Sequence, residues 1–168
     1  MNDELYLEIP SEKHEAEYIR MIDRWEGMED NIQPELIRRN GTPYAKFLAW
    51  CEDDRTTGSM LSTKTPCTLL FLTDDSGEIY GGIVMNHANT HRGHLHAGIA
   101  PWNRGRGMGT KMLELALLKC REMGFEYVEI VPHKGNERAV ATIVKNGGIL
   151  TEEFCEGDIW SQRYRIDL

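Results

Sequence analysis

Residues 5–9, LYLEI, alternate apolar and polar side chains with the two-residue period of a half-buried strand. Ser11 followed by Glu12 and Glu15 gives an N-cap signature, which predicts a helix running to about Arg24 or Trp25 and ending at Gly27. From Met28 to Gly41 the chain is acidic and irregular. Between Pro43 and Glu52 the apolar positions Tyr44, Phe47, Leu48 and Cys51 return to helical spacing, and residues 53–66 read as a polar loop. CTLLFLT (67–73), the turn DDSG and then EIYGGIVM predict a hairpin, and HLHAGIA (94–100) predicts a further strand stopped by Pro101.

The pattern turns helical again from about Gly107 to Met123, with Met112, Leu113, Ala116, Leu117 and Cys120 on one stripe and Gly124 closing the helix. EYVEIV is a strand, and NERAVATIVKN is a short helix with Asn136 as N-cap and Gly147 in the left-handed C-terminal position. GILTEEFCE and IWSQRYRI complete the chain as two strands joined at Gly157 and Asp158. The order β, α, α, β, β, β, α, β, α, β, β predicts an α/β fold: a central mixed, mostly antiparallel sheet flanked by helices. At 168 residues, with no repeat or linker, one domain over residues 1–168 is expected.

Charge narrows the partners. There are 27 acids against 19 lysines and arginines, a net charge of -8, so a general nucleic-acid surface is not expected. The basic residues gather only around 104–111 and 133–138. Cys51, Cys67, Cys120 and Cys155 are scattered without a C-x-x-C pair, and MNDELYLEIP has no cationic-then-apolar leader, so reduced thiols and a cytoplasmic location are expected. No apolar run approaches the roughly 18 residues of a membrane span, and no membrane association is expected.

The densest chemical signal is APWNRGRGMGTK, residues 100–111, where Gly105, Gly107 and Gly109 alternate beside Arg104, Arg106 and Lys111 at the start of the long helix. The first amides of a helix lack intrahelical partners and, with the helix dipole, form an anion site that glycine lets a ligand approach closely. The spacing is not the Walker pattern, because Thr110 precedes Lys111, and not G-x-G-x-x-G, because the third glycine comes one residue early. It fits R/Q-x-x-G-x-G/A, filled by Arg104, Gly107 and Gly109.

That pattern, after a strand ending GIAP, resembles the GNAT superfamily of acetyl-CoA-dependent N-acetyltransferases, and NERAVATIVKNGGIL resembles its second cofactor segment through Asn136, Ala139, Lys145 and Gly147. GHLHAGIAPWNRGRG, KNGGIL and RYRIDL further resemble a bacterial subgroup whose substrates are mostly unassigned. The resemblance implies that amides of Gly105, Arg106, Gly107, Met108, Gly109 and Thr110, with Arg104, hold the CoA diphosphate. The strand around Ala97, Ile99 and Ala100 would pair with the pantetheine arm, and an N–H near Ala97 or Ile99 would face the thioester oxygen. Asn136 would reach the pantetheine or diphosphate, its other reading being a plain helix cap, and Arg138 or Lys134 would meet a phosphate of the adenosine end.

The tyrosine with which many family members protonate the departing thiolate is replaced by Ile143, leaving Tyr164 or water for that task. His94 is the candidate general base, since histidine titrates near neutral pH without perturbation. A metal site at His94 and His96 with His87 or His91 is the competing reading of these histidines, but acetyl transfer needs no metal. Glu26, Glu29, Asp30 and Glu35 form either an attractor for a cationic amine or a solvated loop, and Cys120 and Cys155 are read as core residues. The implied function is transfer of an acetyl group from acetyl-CoA to a primary amine of a small molecule or peptide by direct attack, in a protein whose relatives often form homodimers. The alternatives are a non-catalytic CoA-binding or acyl-CoA-binding regulatory module and a nucleotide-binding protein of another class.

Overall fold

A computed structural model describes residues 4–56 and 65–168. The chain forms β1 (Tyr6–Glu8), α1 (Glu15–Glu26), α2 (Tyr44–Thr56), β2 (Cys67–Thr73), β3 (Ile79–Asn86), β4 (Leu95–Ile99), α3 (Met108–Glu122), β5 (Tyr127–Ile130), α4 (Glu137–Lys145), β6 (Ile149–Glu156) and β7 (Ile159–Asp167), in the predicted order. Two boundaries differ. Ser11 starts a 3₁₀ turn over Glu12–His14 rather than α1 itself, and His14 closes the turn by accepting the Ser11 N–H at 3.0 Å through Nδ1. α2 continues past Glu52 into the expected loop, where the Thr56 hydroxyl bonds back to Asp53 O at 3.0 Å. The remainder of that loop, 57–64, lies outside the described residues.

The strands form two antiparallel sheets, β1-β2-β3-β4 and β5-β7-β6. β2 and β3 are buried at every position because helices cover both faces. Leu70, Leu72, Ile83 and Met85 pack with the α3 stripe, Ile143 of α4 and Tyr164 and Ile166 of β7. Leu69, Phe71 and Val84 meet Tyr18, Ile22 and Trp25 of α1 and Tyr44 and Phe47 of α2 on the other face. Tyr18 stacks on Phe47 with ring centres 4.7 Å apart and donates its hydroxyl to Ile37 O at 2.7 Å, which fixes the connection between α1 and α2 against the sheet.

That connection lies very close to β4. A Cβ on Gly98 would stand 1.7 Å from Gln33 O, and one on Gly82 would stand 2.9 Å from Ile37 Cδ1. Glycine at these strand positions is what allows residues 32–37 to rest directly on the sheet.

The two sheets meet where β4 begins and separate from there. His94 donates its N–H to Glu129 O at 2.7 Å, Glu129 N–H returns to His94 Nδ1 at 2.9 Å, and Gly93 forms an isolated bridge with Ile130. Among the described residues no ladder joins β4 to β5 beyond this point. The expected sheet is therefore parted between its fourth and fifth strands.

Candidate active site

The parting leaves one edge of β4 unpaired. Asn86 N–H donates to His94 O and Ala100 N–H to Tyr80 O, so the even-numbered residues of β4 direct their main chain toward β3. Leu95, Ala97 and Ile99 consequently present theirs to the gap. Ala100 does not belong with them, contrary to the sequence expectation: its N–H is held by Tyr80 and its carbonyl accepts from Asn103 N–H at 2.9 Å.

The glycine turn stands at the end of that edge. Gly105 and Gly107 both have φ +78°, a left-handed conformation that costs an L side chain about 1–2 kcal/mol. Gly107 is the N-cap of α3 and supplies no side-chain cap, and the first intrahelical bond shown runs from Lys111 N–H to Gly107 O at 3.1 Å. The Met108, Gly109 and Thr110 amides thus stand at the open helix end, with no acid in the first turn. Gly109 faces Ile99 and Thr142, from which an added Cβ would lie 3.9 and 3.5 Å, so the helix end, the β4 edge and α4 converge. Asn146 fixes that convergence by donating Nδ2 to Thr110 O at 3.2 Å and Thr142 O at 3.0 Å. Sequence reasoning used Asn146 only as the end of a helix.

The cations around the turn differ in what they hold. Arg104 donates Nε to Ile99 O at 2.9 Å and its two terminal nitrogens to Asp30 at 3.3 and 2.9 Å, so its guanidinium is already engaged. Arg106 is exposed, donating to Asn103 Oδ1 at 3.2 Å and lying 5.9 Å over the Tyr80 ring. Asn103, missed in the sequence, is only 2% exposed and its Nδ2 has no hydrogen-bond partner among the described residues. Lys111 sits 3.6 Å from Glu114. Asn136 caps α4 by accepting Ala139 N–H at 3.3 Å. Lys134 pairs with Glu153 at 2.8 Å.

His94 is 5% exposed, packed against Phe125 and Tyr127, and burial holds its pKa below the usual imidazole range. Because Nδ1 accepts an amide proton, the neutral ring carries its hydrogen on Nε2 and keeps no free lone pair. This geometry makes His94 the joint between the sheets, and a base there requires release of Glu129. His96 meets Asn86 Nδ2 at 3.3 Å, His87 meets the Thr68 hydroxyl at 2.7 Å, and His91 meets Glu156 at 2.8 Å. Among the described residues no group of three or more His, Cys, Asp or Glu side chains is placed to hold a metal ion.

Ile143 is buried beneath Gly148, and Tyr164 is 6% exposed with its hydroxyl directed to Gln162 at 3.3 Å. Burial raises the Cys120 thiol to about 11, whereas Cys155 is exposed on β6 and not a core residue as expected. The acidic segment divides: Glu26 accepts the Arg39 and Asn40 amides and Asp30 accepts Trp25 and Arg104, while Glu29 and Glu35 are exposed.

A parted sheet with an uncapped, locally cationic helix end at the mouth of the gap suits an elongated anionic ligand. Residues 19–147 match the acetyltransferase (GNAT) family, and the chain belongs to that family of acyltransferases. Comparison with curated proteins gives no match. Among solved structures it is similar to the microcin C7 self-immunity acetyltransferase MccE in complex with acetyl-CoA and AMP, at TM-score 0.73 and 16% identity, covering 99% of this chain and 94% of that one. The GNAT-family acetyltransferase of Streptococcus pneumoniae gives TM-score 0.67 at 16% identity, covering 98% and 100%. The yncA protein of Salmonella typhimurium, solved with its cofactor acetyl-CoA, gives 0.64 at 12% identity, covering 97% and 93%. At these identities the likeness is one of fold. No helix among the described residues is long and apolar enough to cross a membrane.

Proposed function

We propose that the protein transfers an acetyl group from acetyl-CoA to a primary amine by direct attack. The observation that carries this reading is the convergence of the uncapped α3 N-terminus with the unpaired β4 edge, a diphosphate site beside a strand that can pair with pantetheine. The acetyl-CoA held by MccE and yncA supports it. The Gly107 to Thr110 main chain would hold the diphosphate with Arg106 beside it, and Ala97 and the Ile99 N–H would pair with the arm, the Ile99 carbonyl being held by Arg104.

In the reaction a neutral amine attacks the thioester carbonyl, the C–N bond forms, the C–S bond breaks, and the amine proton passes to the departing thiolate through solvent. An outer-edge N–H of β4 facing the developing oxyanion would contribute about 3 kcal/mol. Since His94 has no free lone pair while it joins the sheets, the pH dependence of kcat/KM should follow the acceptor's own amine.

Ile143 favours a second reading, a binding module that keeps the phosphate site without the chemistry. Thermal unfolding with acetyl-CoA, CoA, ATP and NAD, followed by thiol release with an amine panel, tests both. Ligand at 100 times its Kd contributes about 2.7 kcal/mol and raises Tm by roughly 5–10 °C. A shift confined to CoA compounds with turnover supports the transferase; the same shift without turnover supports the module; no CoA shift overturns both.

A further inference from the structure

The contacts of Arg104 connect two regions with different tasks. Its Nε bonds the outer-edge carbonyl of Ile99, and its other nitrogens grip the Asp30 carboxylate. Its main chain stands three residues before the Gly107 N-cap, with Gly105, at φ +78°, between. Asp30 also accepts Trp25 Nε1 at 2.7 Å through Oδ2, the oxygen that one Arg104 nitrogen reaches, and Trp25 is fully buried in α1. The Arg104 guanidinium, with the indole beside it, holds the Asp30 carboxyl below the ordinary carboxylate range. Both charged side chains are about one quarter exposed, so the pair is screened less than a surface ion pair.

Beyond Asp30 the chain goes straight to the β4 face. Ile32 is buried, Gln33 O rests over Gly98, and Ile37 rests on Gly82. Gly98 lies between Ala97 and Ile99, whose main chain faces the gap. A second tie runs parallel to the first, with the Arg24 guanidinium 4.1 Å over the Trp102 ring just before the turn.

We infer that Asp30 and Arg104 are a positioning pair that couples the phosphate turn to the segment resting on β3 and β4, residues 30–37, so that filling the turn stiffens that segment as well. Asp30 is thereby a positioning residue and not an attractor for a cationic acceptor. The inference rests on the proposed CoA site and assigns it a consequence that the site does not require. A turn held only by its own glycines could bind diphosphate and leave residues 30–37 unaffected. Coupling of this kind is reciprocal, so an ordered 30–37 segment also favours the bound turn.

Hydrogen exchange read by mass spectrometry, with free CoA as the probe, tests it without knowledge of the acceptor. In the wild type, CoA should slow exchange at 105–110 and also at 30–37, the latter about fivefold or more, the low end of site-to-site coupling. Asp30→Asn should keep CoA binding and protection of 105–110 but lose the CoA-dependent protection of 30–37. Arg104→Lys keeps the charge but loses the fork and the Ile99 bond, and should lose the same protection even if Asp30→Asn does not fold. Wild-type CoA binding without protection at 30–37, or full protection there in both variants, overturns the coupling alone. Absence of CoA binding by the wild type overturns the acetyl-CoA reading and the coupling with it.

Discussion

Gly98→Ala isolates the close approach on which the site's geometry depends. The added methyl would meet Gln33 O at 1.7 Å and Gln33 C at 2.6 Å, and neither is the movable end of a side chain. Ordinary contact begins at 3.4 Å, so either residues 32–34 or β4 must retreat by about 1.7 Å. That retreat loosens buried Ile32 and Ile37 and the Tyr18 bond to Ile37 O. Overpacking of this kind usually costs 1–3 kcal/mol. With backbone as the obstacle the upper end is expected, about 3 kcal/mol, which lowers Tm by roughly 6–12 °C in a chain of this length. Gly105→Ala is the control: no atom lies within 4 Å of its added Cβ, but φ of +78° costs about 1–2 kcal/mol. Gly98→Ala should therefore lose more stability and weaken CoA binding only through the displaced 30–37 segment and β4 edge, whereas Gly105→Ala should lose less stability and weaken CoA binding at the turn itself. Urea unfolding and CoA titration of both variants measure the contrast. A Gly98→Ala protein within about 1 kcal/mol of wild type would refute the claim that Gln33 rests on β4.

Stability should decline as pH falls below about 6.5, because burial depresses the pKa values of His14, His87, His94 and His96, so the unfolded chain takes up protons that the folded one refuses. The contribution is fully present above the unfolded value and is lost on acidification; Tm constant or rising from pH 8 to 5.5 would contradict it. Asn136→Ala should cost about 1 kcal/mol by removing the α4 cap and Asn136→Ser should restore most of it, as measured by thermal unfolding.

The element order was legible because each period had a local cause. CTLLFLT ends at residues that make a turn, and the stripe from Met112 to Cys120 has one buried face between two glycines. The glycine turn was legible for the same reason: Gly105 and Gly107 carry a backbone conformation, and that requirement is written in the residue type. Gly98 and Gly82 show the limit. They too are required, but by Gln33 and Ile37, and sequence spacing does not indicate that the α1–α2 connection crosses those strands.

Side-chain roles were legible only where the partner is near in sequence. Asn136 caps its own helix, and its position alone contains that reading. Arg104 and His94 fit chemical roles by type and motif position, yet their partners are Asp30 and Glu129, distant in sequence, and those partners decide what the side chains do. A guanidinium facing a carboxylate and a strand carbonyl fastens two segments, and an imidazole accepting an amide proton joins two strands. Both stand beside the gap that would receive the acyl group and neither offers it a free proton acceptor. On the proposed reading, chemistry in this gap would rest on main-chain N–H groups, helix amides and exact placement of the amine, and Ile143 in place of a tyrosine would not by itself remove the capacity for acetyl transfer.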